Sequence, residues 1–455
     1  MNPNIFREYD IRGVAERDLT DEVVRLIGKA FGTYAQSFGK KNVVLARDCR
    51  LSSPRLQRVL LDAMLSTGLN VVDIGICPTP VFYFSLFHLD RDGGIQITGS
   101  HNPPEQNGFK VCIGKSTIFG QEIQRIRKLC EKGNFAGGEG SLSSCDIIPA
   151  YQDYIAGNIK LDRPLKVIID AGNGTGGPVA PELMRRLGCE VEEMYCEMDG
   201  NFPNHHPDPT VPKYIEEIIG RVKSGGYDCG IAYDGDADRL GVIDDKGDIM
   251  WGDQLLMIFA REVLERKPGS VIISEVKSSK ALFDDIARHG GKPIMWKTGH
   301  SLIKEKMKET KAAVAGEMSG HIFFDDRYFG FDDAIYSSCR LLEILSKSDK
   351  PLSEMLSDVP KMYSTPEIRM ECPEEIKFKA VEELTEYFKS SGYDVVDIDG
   401  ARVTFEDGWG LVRASNTQPV LVLRFEAVSE KRRDEIRNLI EGRLDKVLGK
   451  NKPQA

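Results

Sequence analysis

Residues 98–104 read Thr-Gly-Ser-His-Asn-Pro-Pro, and this stretch decides the interpretation of the chain. It follows a short apolar run at 94–97 that has the pattern of a β-strand. Gly99 allows a sharp turn, and the two prolines end any regular structure. The sequence therefore predicts a tight loop, called the serine loop below, that presents the hydroxyl of Ser100 just beyond a strand. The Gly-x-Ser-x-Gly pattern of the α/β-hydrolases is absent from it.

The length and composition of the chain indicate a globular protein of several domains. It has 455 residues, of which 41% are hydrophobic and 29% charged, and domains of about 100–200 residues predict three or four of them. No run of about 18 apolar residues is present that would span a membrane. The N-terminus lacks the apolar core of a signal peptide. We therefore expect a cytoplasmic location and no membrane partner.

Charge and cysteine content exclude further classes of protein. The net charge of −10 argues against a broad nucleic-acid surface, so we expect no nucleic-acid partner. It is compatible with an anionic substrate, because local charge rather than total charge governs a site. The ten cysteines include no Cys-x-x-Cys pair, which predicts free thiols rather than disulfides or a zinc site.

Three segments each contain an apolar strand that runs into a polar or glycine-rich loop. They lie at 42–48, 166–172 and 270–277, and each is followed by a predicted helix. Their spacing of roughly a hundred residues corresponds to one domain length. This pattern predicts three α/β units.

The last ninety or so residues have a different pattern. Strands are predicted at 395–398, 401–405 and 419–425, joined by turns that contain Asp-Gly, and a helix follows from about Ser429. These elements indicate an α+β module with a small antiparallel sheet. The predicted domains are 1–145, 146–248, 249–360 and 361–455.

Residues 233–239, Tyr-Asp-Gly-Asp-Ala-Asp-Arg, are the second strong signal. The carboxylates of Asp234, Asp236 and Asp238 alternate on a turn after an apolar strand and raise one another's pKa. A divalent cation removes that repulsion, and oxygen ligands favour Mg²⁺. An EF-hand requires Gly and Glu where Arg239 and Asp245 stand. This segment, called the metal loop below, is either a metal site or a solvated acidic turn.

Two further loops carry weaker patterns. Residues 316–321 place Glu317, Ser319 and His321 between glycines, where they could bind sugar hydroxyls, but an ordinary polar loop is the simpler interpretation of this string alone. We call this segment the sugar loop.

Residues 413–419, the phosphate loop below, lie between two predicted strands. They offer the guanidinium of Arg413, the hydroxyls of Ser415 and Thr417, and the amide of Asn416. Arginine binds phosphate through two parallel hydrogen bonds and hydroxyls complete such a cradle. A plain polar turn is an equally good interpretation of this string alone.

Several isolated residues gain significance only together with these loops. A single lysine is usually a solvated surface charge, and a single histidine is usually structural. The residues concerned are Tyr9, Arg12, Lys110, Lys277 and His300.

The four loops, in this order and at domain-sized spacing, resemble the α-D-phosphohexomutase family over essentially the whole chain. The sugar loop is similar to that of the phosphomannomutase/phosphoglucomutase branch, since phosphoglucosamine mutases tend to have Gln where Met318 stands. One departure lies at 46–50, where relatives often have Gly before Arg47 and Ser in place of Cys49. We expect that segment to be peripheral.

The resemblance implies a heart-shaped α/β molecule with four domains around a central cleft. Three related α/β domains would have mixed sheets, and the C-terminal α+β domain a small antiparallel sheet. Ser100 would carry the phosphoryl group. Asp234, Asp236 and Asp238 would hold Mg²⁺ together with a phosphate oxygen on Ser100, and Arg239 would lie beside the phosphoserine.

The resemblance also assigns roles to the remaining residues. Lys110 or His300 would transfer protons. The residues expected to bind the phosphosugar are Tyr9, Arg12, Lys277, Glu317, Ser319, His321, Arg413, Ser415, Asn416 and Thr417.

The implied activity is the interconversion of hexose 1-phosphate and hexose 6-phosphate, with mannose or glucose as the sugar. It would proceed through a phosphoserine and a hexose 1,6-bisphosphate, which is both intermediate and activator. Alternatives are a phosphoglucosamine mutase of the same family and a magnesium-dependent phosphosugar phosphatase. We expect a monomer or small homo-oligomer, and a fourth domain that moves to let the intermediate turn.

Overall fold

The computed structural model describes residues 1–416 and 418–449. They form four sheets, one in each quarter of the chain, with helices packed against them. The predicted architecture of three α/β domains with mixed sheets and one antiparallel C-terminal domain is confirmed. The predicted residue boundaries between the domains stay a prediction.

The first sheet has seven strands in the order β1-β5-β4-β2-β3-β7, with β6 on β5. The neighbours of β2 are parallel to it, whereas β5 runs antiparallel to both β4 and β1. Its elements are β1 (Ile11–Val14), α1 (Asp21–Gln36), β2 (Asn42–Arg47), α2 (Ser53–Leu65), β3 (Asn70–Ile76), α3 (Thr79–His88), β4 (Gly93–Ile97), β5 (Gln106–Ile113), β6 (Ser116–Thr117), α4 (Gln121–Lys132) and β7 (Leu142–Ser144).

The second sheet has the order β12-β11-β10-β8-β9. Here β8 pairs in parallel with β9 and β10, and β11 is antiparallel to β10. Its elements are α5 (Ile148–Asn158), β8 (Lys166–Asp170), α6 (Ala180–Arg186), β9 (Glu190–Met194), α7 (Glu216–Gly225), β10 (Cys229–Tyr233), β11 (Leu240–Asp244) and β12 (Ile249–Met250).

The third sheet has the order β14-β13-β15-β16, parallel except for the last pair. Its elements are α8 (Gly252–Arg266), β13 (Val271–Glu275), α9 (Lys280–Arg288), β14 (Lys292–Trp296), α10 (His300–Thr310), β15 (Val314–Gly316), β16 (Ile322–Phe324) and α11 (Ala334–Lys347).

The fourth sheet is antiparallel throughout, in the order β17-β22-β21-β20-β19 with β18 on β22. Two helices cover it. Its elements are β17 (Tyr363–Ser364), β18 (Ile368–Glu371), α12 (Glu374–Ser390), β19 (Asp394–Val396), β20 (Ala401–Phe405), β21 (Gly408–Ala414), β22 (Val420–Ala427) and α13 (Glu430–Val447).

A four-strand unit recurs in the first three sheets. The strand orders β3-β2-β4-β5, β9-β8-β10-β11 and β14-β13-β15-β16 correspond, with the last pair of each antiparallel. In each unit a functional loop follows the third strand and leads into the antiparallel fourth. The phosphate loop likewise connects β21 to its antiparallel neighbour β22. Each of the four loops therefore connects two neighbouring antiparallel strands and lies at the ends of those strands.

Hydrophobic packing joins the domains as well as filling them. One buried cluster extends from Val44 in the first domain through Ile169 in the second to Phe324 in the third. A small cluster of Val276, Trp409 and Leu411 lies between the third domain and the fourth. All ten cysteines are free. No helix in the described residues has the length and apolar composition needed to cross a bilayer.

Candidate active site

The serine loop and the metal loop lie against each other. Ser100 is 4% exposed, and its Oγ donates a hydrogen bond of 2.7 Å to Oδ2 of Asp234. A Cβ at Gly235 would lie 2.5 Å from the carbonyl oxygen of Ser100, so the close approach of the two loops requires glycine there. The structure therefore joins two segments that are more than a hundred residues apart in sequence.

The three aspartates of the metal loop are completely buried, and one oxygen from each lies within 4.8 Å of the others. Oδ2 of Asp236 accepts hydrogen bonds from Thr79, Thr98 and Lys110. Within residues 1–416 and 418–449, no hydrogen-bond donor reaches Oδ1 of Asp236 or of Asp238. Buried carboxylate oxygens without partners, in a set of oxygen ligands only, fit Mg²⁺.

The ionisation of these groups follows from their burial and their neighbours. Burial, together with Asp236 and Asp238, raises the pKa of Asp234 well above its usual value. Burial opposes the charge on Asp236, but Lys110 outweighs it and the pKa of Asp236 is lowered. Burial likewise opposes the charge on Lys110, yet the two carboxylates that it contacts, Asp236 and Asp238, raise its pKa. Lys110 is therefore held as an ammonium ion.

Two histidines and an arginine form the next part of the cleft. Nε of Arg239 donates to Nε2 of His321 at 3.0 Å, and Nδ1 of His321 lies 3.1 Å from Oδ2 of Asp332. The His300 ring stacks on the His321 ring with centroids 5.5 Å apart. Burial, and after it Lys304, holds the pKa of His300 well below its usual range, so His300 is neutral.

The sugar loop faces this group from the third domain. Oε1 of Glu317 accepts a hydrogen bond of 2.7 Å from the backbone N–H of Gly299. Burial, and after it Glu275, raises the pKa of Glu317 to about 7. Ser319 is half-buried at the tip of the loop.

Lys277 lies in the third domain close to Glu367 of the fourth. Its Nζ is 3.1 Å from Glu367 and 3.5 Å from Glu275. Burial opposes its charge, but these two carboxylates raise the pKa of Lys277. Its charge is therefore compensated before any anion binds.

The phosphate loop completes the cleft. Arg413 is buried, and its Nε is 3.1 Å from Oδ2 of Asp399. Ser415 Oγ accepts a hydrogen bond from the N–H of Gln418. Asn416 Nδ2 donates to the Tyr9 hydroxyl at 3.0 Å. The predicted residue Thr417 lies outside the described part of the chain.

The N-terminal residues bridge the first domain to the others. The Tyr9 hydroxyl donates to the backbone oxygen of Thr298 in the third domain at 2.9 Å. Arg12 pairs with Asp10 at 2.6 Å and donates to Asn102 in the serine loop at 2.7 Å. The structure thus brings residues from all four predicted loops and from the N-terminus to one cleft, while their individual roles stay predictions.

Some residues in and behind the cleft carry no signal in the sequence. Asp332 is completely buried between His321 and Lys304, with Nζ of Lys304 2.8 Å from its Oδ1. The expectation that residues 46–50 are peripheral is wrong. Asp48 accepts a hydrogen bond from Gly99, and Arg50 donates to the backbone of Ser100. These contacts could not be predicted from the sequence of residues 46–50 alone, because they depend on the parallel pairing of β2 with β4, which brings the ends of the two strands together.

Comparison with known proteins gives matches along the whole chain. Four family models match residues 3–137, 149–247, 251–363 and 367–442, and they describe the α/β/α domains I, II and III and the C-terminal domain of phosphoglucomutase/phosphomannomutase. A protein of Pseudomonas aeruginosa named phosphomannomutase/phosphoglucomutase is 47% identical over 98% of this chain and 96% of its own length.

Further relatives agree with these matches. A phosphoglucomutase of Neisseria gonorrhoeae is 47% identical over 96% of this chain and 95% of its own. The crystal structure of a phosphoglucomutase/phosphomannomutase family protein from Burkholderia thailandensis superposes with a TM-score of 0.94 at 45% identity, covering 99% of each chain.

Proposed function

The chain belongs to the phosphoglucomutase/phosphomannomutase family, and from this premise we propose that it interconverts hexose 1-phosphates and hexose 6-phosphates of mannose or glucose. It is a phosphotransferase of the mutase type. The observation that carries the proposal is the buried Ser100 hydroxyl, 2.7 Å from Asp234, in a cleft that the phosphate loop also lines. A mutase needs both a phosphoryl carrier and a separate holder for the phosphate that does not react.

In the first half-reaction, the substrate phosphate would lie against Arg413 and the hydroxyls of the phosphate loop. The free sugar hydroxyl at the other end would attack the phosphoryl group on Ser100. One P–O bond forms to the sugar as the bond from phosphorus to Ser100 Oγ breaks and Oγ takes up a proton, which gives a hexose 1,6-bisphosphate and a free serine. In-line attack and charge neutralisation are the main requirements of such a transfer.

Proton transfer would be handled by buried groups of the cleft. The neutral imidazole of His300 is suited to accept the proton of the attacking hydroxyl. Lys110 is the alternative, but its ammonium is already paired with Asp236 and Asp238. We therefore assign the base role to His300. Lys110 and Arg239 would compensate the negative charge of the moving group.

Asp234, Asp236 and Asp238 would hold Mg²⁺ together with an oxygen of the phosphorylated Ser100. When bound, the ion supplies positive charge against the transferred phosphoryl group. The unpartnered oxygens of Asp236 and Asp238 support this assignment.

In the second half-reaction, the bisphosphate would turn end over end, so that its other phosphate faces Ser100. Ser100 Oγ loses its proton and attacks that phosphorus, the bond between this phosphorus and the sugar oxygen breaks, the sugar oxygen takes up a proton, and the phosphoserine is regenerated. Because the phosphate loop must then accept a phosphate from either end of the sugar, contacts to shared hydroxyls should dominate. Glu317, Ser319 and His321 of the sugar loop are the residues proposed to make them.

The test is an assay with glucose 1-phosphate, mannose 1-phosphate and glucosamine 1-phosphate, each with Mg²⁺ and catalytic glucose 1,6-bisphosphate. We expect 6-phosphate products from the first two, with little from glucosamine 1-phosphate. Release of inorganic phosphate in place of a sugar 6-phosphate would identify a phosphatase and overturn the proposal. We also propose that the protein acts in the cytoplasm, where its ten free thiols would stay reduced, as a monomer or small homo-oligomer.

A further inference from the structure

Arg50 lies behind the serine loop and is 1% exposed. Its Nη2 donates to the backbone oxygens of Ser100 at 2.7 Å and Asn102 at 2.6 Å. Its Nη1 donates to those of Pro103 at 2.6 Å and Gln106 at 2.9 Å. One guanidinium thus binds the loop at four points between its centre and the start of β5.

Asp48 completes the support from the same side. Its Oδ2 accepts a hydrogen bond of 3.0 Å from the N–H of Gly99 and lies 3.2 Å from Nε of Arg50. A Cβ at Gly99 would lie 2.3 Å from Nε of Arg50, so the loop packs directly on the guanidinium. Ser100 has φ of +48°, a conformation that residues other than glycine seldom adopt. Such a backbone persists only when its surroundings hold it in place.

Lys377, in the first turn of α12, lies behind the phosphate loop in the same way. It is completely buried, and its Nζ donates to the backbone oxygens of Ser415 at 2.5 Å and Gln418 at 3.0 Å. Its carboxylate partner, Glu374 at 2.7 Å, is mostly exposed. Lys377 is therefore held by two carbonyl oxygens of the loop and one carboxylate.

We infer that Arg50 and Lys377 are positioning residues, one for each of the two loops that handle a phosphoryl group. Each draws backbone oxygens of its loop to the side away from the cleft. Because C=O and N–H point in opposite directions across a planar peptide, the N–H groups of His101 and Asn416, which follow the bonded carbonyls of Ser100 and Ser415, point away from the two cations. The carbonyls of Asn102, Pro103 and Gln418 precede prolines and serve only to hold the backbone in place. Neither residue contacts the substrate in this arrangement.

The two residues act on different steps, because the loops have different roles. Arg50 fixes the loop that donates and accepts the phosphoryl group, so its loss should lower kcat. Lys377 fixes the loop that holds the other phosphate, so its loss should raise KM. Lysine cannot replace Arg50, because four fixed acceptors need the planar fork of a guanidinium.

The test compares Arg50→Lys with Lys377→Met in the full-length enzyme. For Arg50→Lys we expect kcat to fall by about 100-fold, the loss that a misplacement of about 1 Å can cause, with KM changed by about 2-fold at most. For Lys377→Met we expect KM for glucose 1-phosphate to rise by about 10-fold, with kcat within about 3-fold of the parent. Loss of a hydrogen bond made by a charged group is large enough to cause a change in affinity of about 10-fold. Lys377→Arg should recover part of the affinity.

Two half-buried cations that bind backbone oxygens away from the functional loops serve as controls. Arg55 also donates to backbone oxygens in the first domain, those of Leu19 and Ala15, and Lys115 donates to those of Leu86 and Arg91. None of these four acceptors lies in a functional loop. Arg55→Lys and Lys115→Met should therefore leave kcat and KM unchanged.

The inference rests on the proposed mutase function, but the two can fail separately. If the parent enzyme makes no sugar 6-phosphate, the proposed function fails. If the parent is active and Arg50→Lys and Lys377→Met change kcat and KM alike, or change neither, the positioning roles are refuted. If Arg50→Lys does not fold, Asp48→Asn tests the same loop. The measurement is then the rate at which glucose 1,6-bisphosphate phosphorylates Ser100, followed by the intact mass of the protein. Slower phosphorylation supports the inference, and an unchanged rate contradicts it.

Discussion

The serine loop of the first domain and the phosphate loop of the fourth are both connections between antiparallel strands, and a buried cation supports each from behind. Their front faces differ. Ser100 is 4% exposed and faces the carboxylates of the metal loop, whereas Asn416 is exposed and its loop begins at a guanidinium. Under the proposed function, the phosphoryl group that leaves and returns would occupy the enclosed site at Ser100. The phosphate that does not react would occupy the loop whose tip, at Asn416, is exposed.

The largest effect should come from the carrier itself. In Ser100→Ala the hydroxyl proposed to form the phosphoserine is gone, so turnover should fall by at least about 1000-fold, a loss of more than about 4 kcal/mol of transition-state stabilisation. Binding of glucose 1-phosphate, measured by calorimetry, should persist because the phosphate loop is intact. Ser224→Ala, an exposed serine on α7, should behave as the parent. A fully active, bisphosphate-dependent Ser100→Ala enzyme would show that another group carries the phosphoryl.

The metal loop gives the next test of the enclosed side. Asp238→Asn removes one carboxylate charge from the three that would hold Mg²⁺, and affinity for Mg²⁺ should fall by at least about 10-fold, since residues that only orient metal ligands already have effects of that size. Titration calorimetry with Mg²⁺ alone measures this directly. Asp248→Asn, an exposed acid of the same domain, serves as the control. Equal Mg²⁺ affinity in both variants would place the ion elsewhere.

In the phosphate loop, Arg413→Ala should weaken substrate binding more than turnover, the opposite of the effect expected for Ser100→Ala. Loss of a charge-assisted contact to phosphate costs about 1.5–3 kcal/mol, or roughly 10- to 150-fold in affinity. The KM for glucose 1-phosphate should rise by that factor while kcat changes less. Arg433→Ala, on α13 and paired with Asp434, should change neither. An Arg413→Ala enzyme with unaltered KM would mean that the phosphate is held by other residues.

The sequence was enough to predict those features of the two loops that depend on residues adjacent in the chain. A strand followed by a glycine or proline turn predicted the serine loop and the metal loop, because both are short connections whose chemistry lies in adjacent residues. The antiparallel C-terminal sheet was likewise indicated by its Asp-Gly turns, and the observed strands β20 and β22 lie at or next to the predicted positions.

The supports behind the loops could not be predicted in this way. Arg50 and Lys377 are defined by backbone oxygens that lie about fifty and forty residues further along the chain, and a single basic residue before a helix or within its first turn is no signal by itself. Asp332 is similar, since its significance comes from two histidines brought to it by folding. Local pattern finds the residues that face the substrate, while those that hold them depend on tertiary contacts.

The smallest effect should be a change in stability with pH, and it compares a buried carboxyl of the metal loop with one of the sugar loop. Asp236, beside Lys110, has a lowered pKa, whereas burial and Glu275 raise the pKa of Glu317 to about 7. The unfolded chain has an ordinary glutamate of pKa about 4.3. Between these values the folded protein binds more protons, so its free energy of unfolding falls as pH rises from about 4.3 to 7 and then levels off.

Glu317→Gln removes this titration, because glutamine has no charge to bury. Relative to the parent, the variant should therefore gain thermal stability as pH rises from 5 to 8, with its midpoint of unfolding shifting upward by about 1 °C for each kcal/mol that ionisation of Glu317 costs the parent, the shift expected for a chain of this length. The comparison is made between melting curves of both proteins at pH 5, 6, 7 and 8. Glu305→Gln, on the same domain, controls for loss of a carboxylate in general. A constant difference between Glu317→Gln and the parent across this range would mean that Glu317 ionises normally, and that the sugar loop tolerates buried charge as well as the metal loop does.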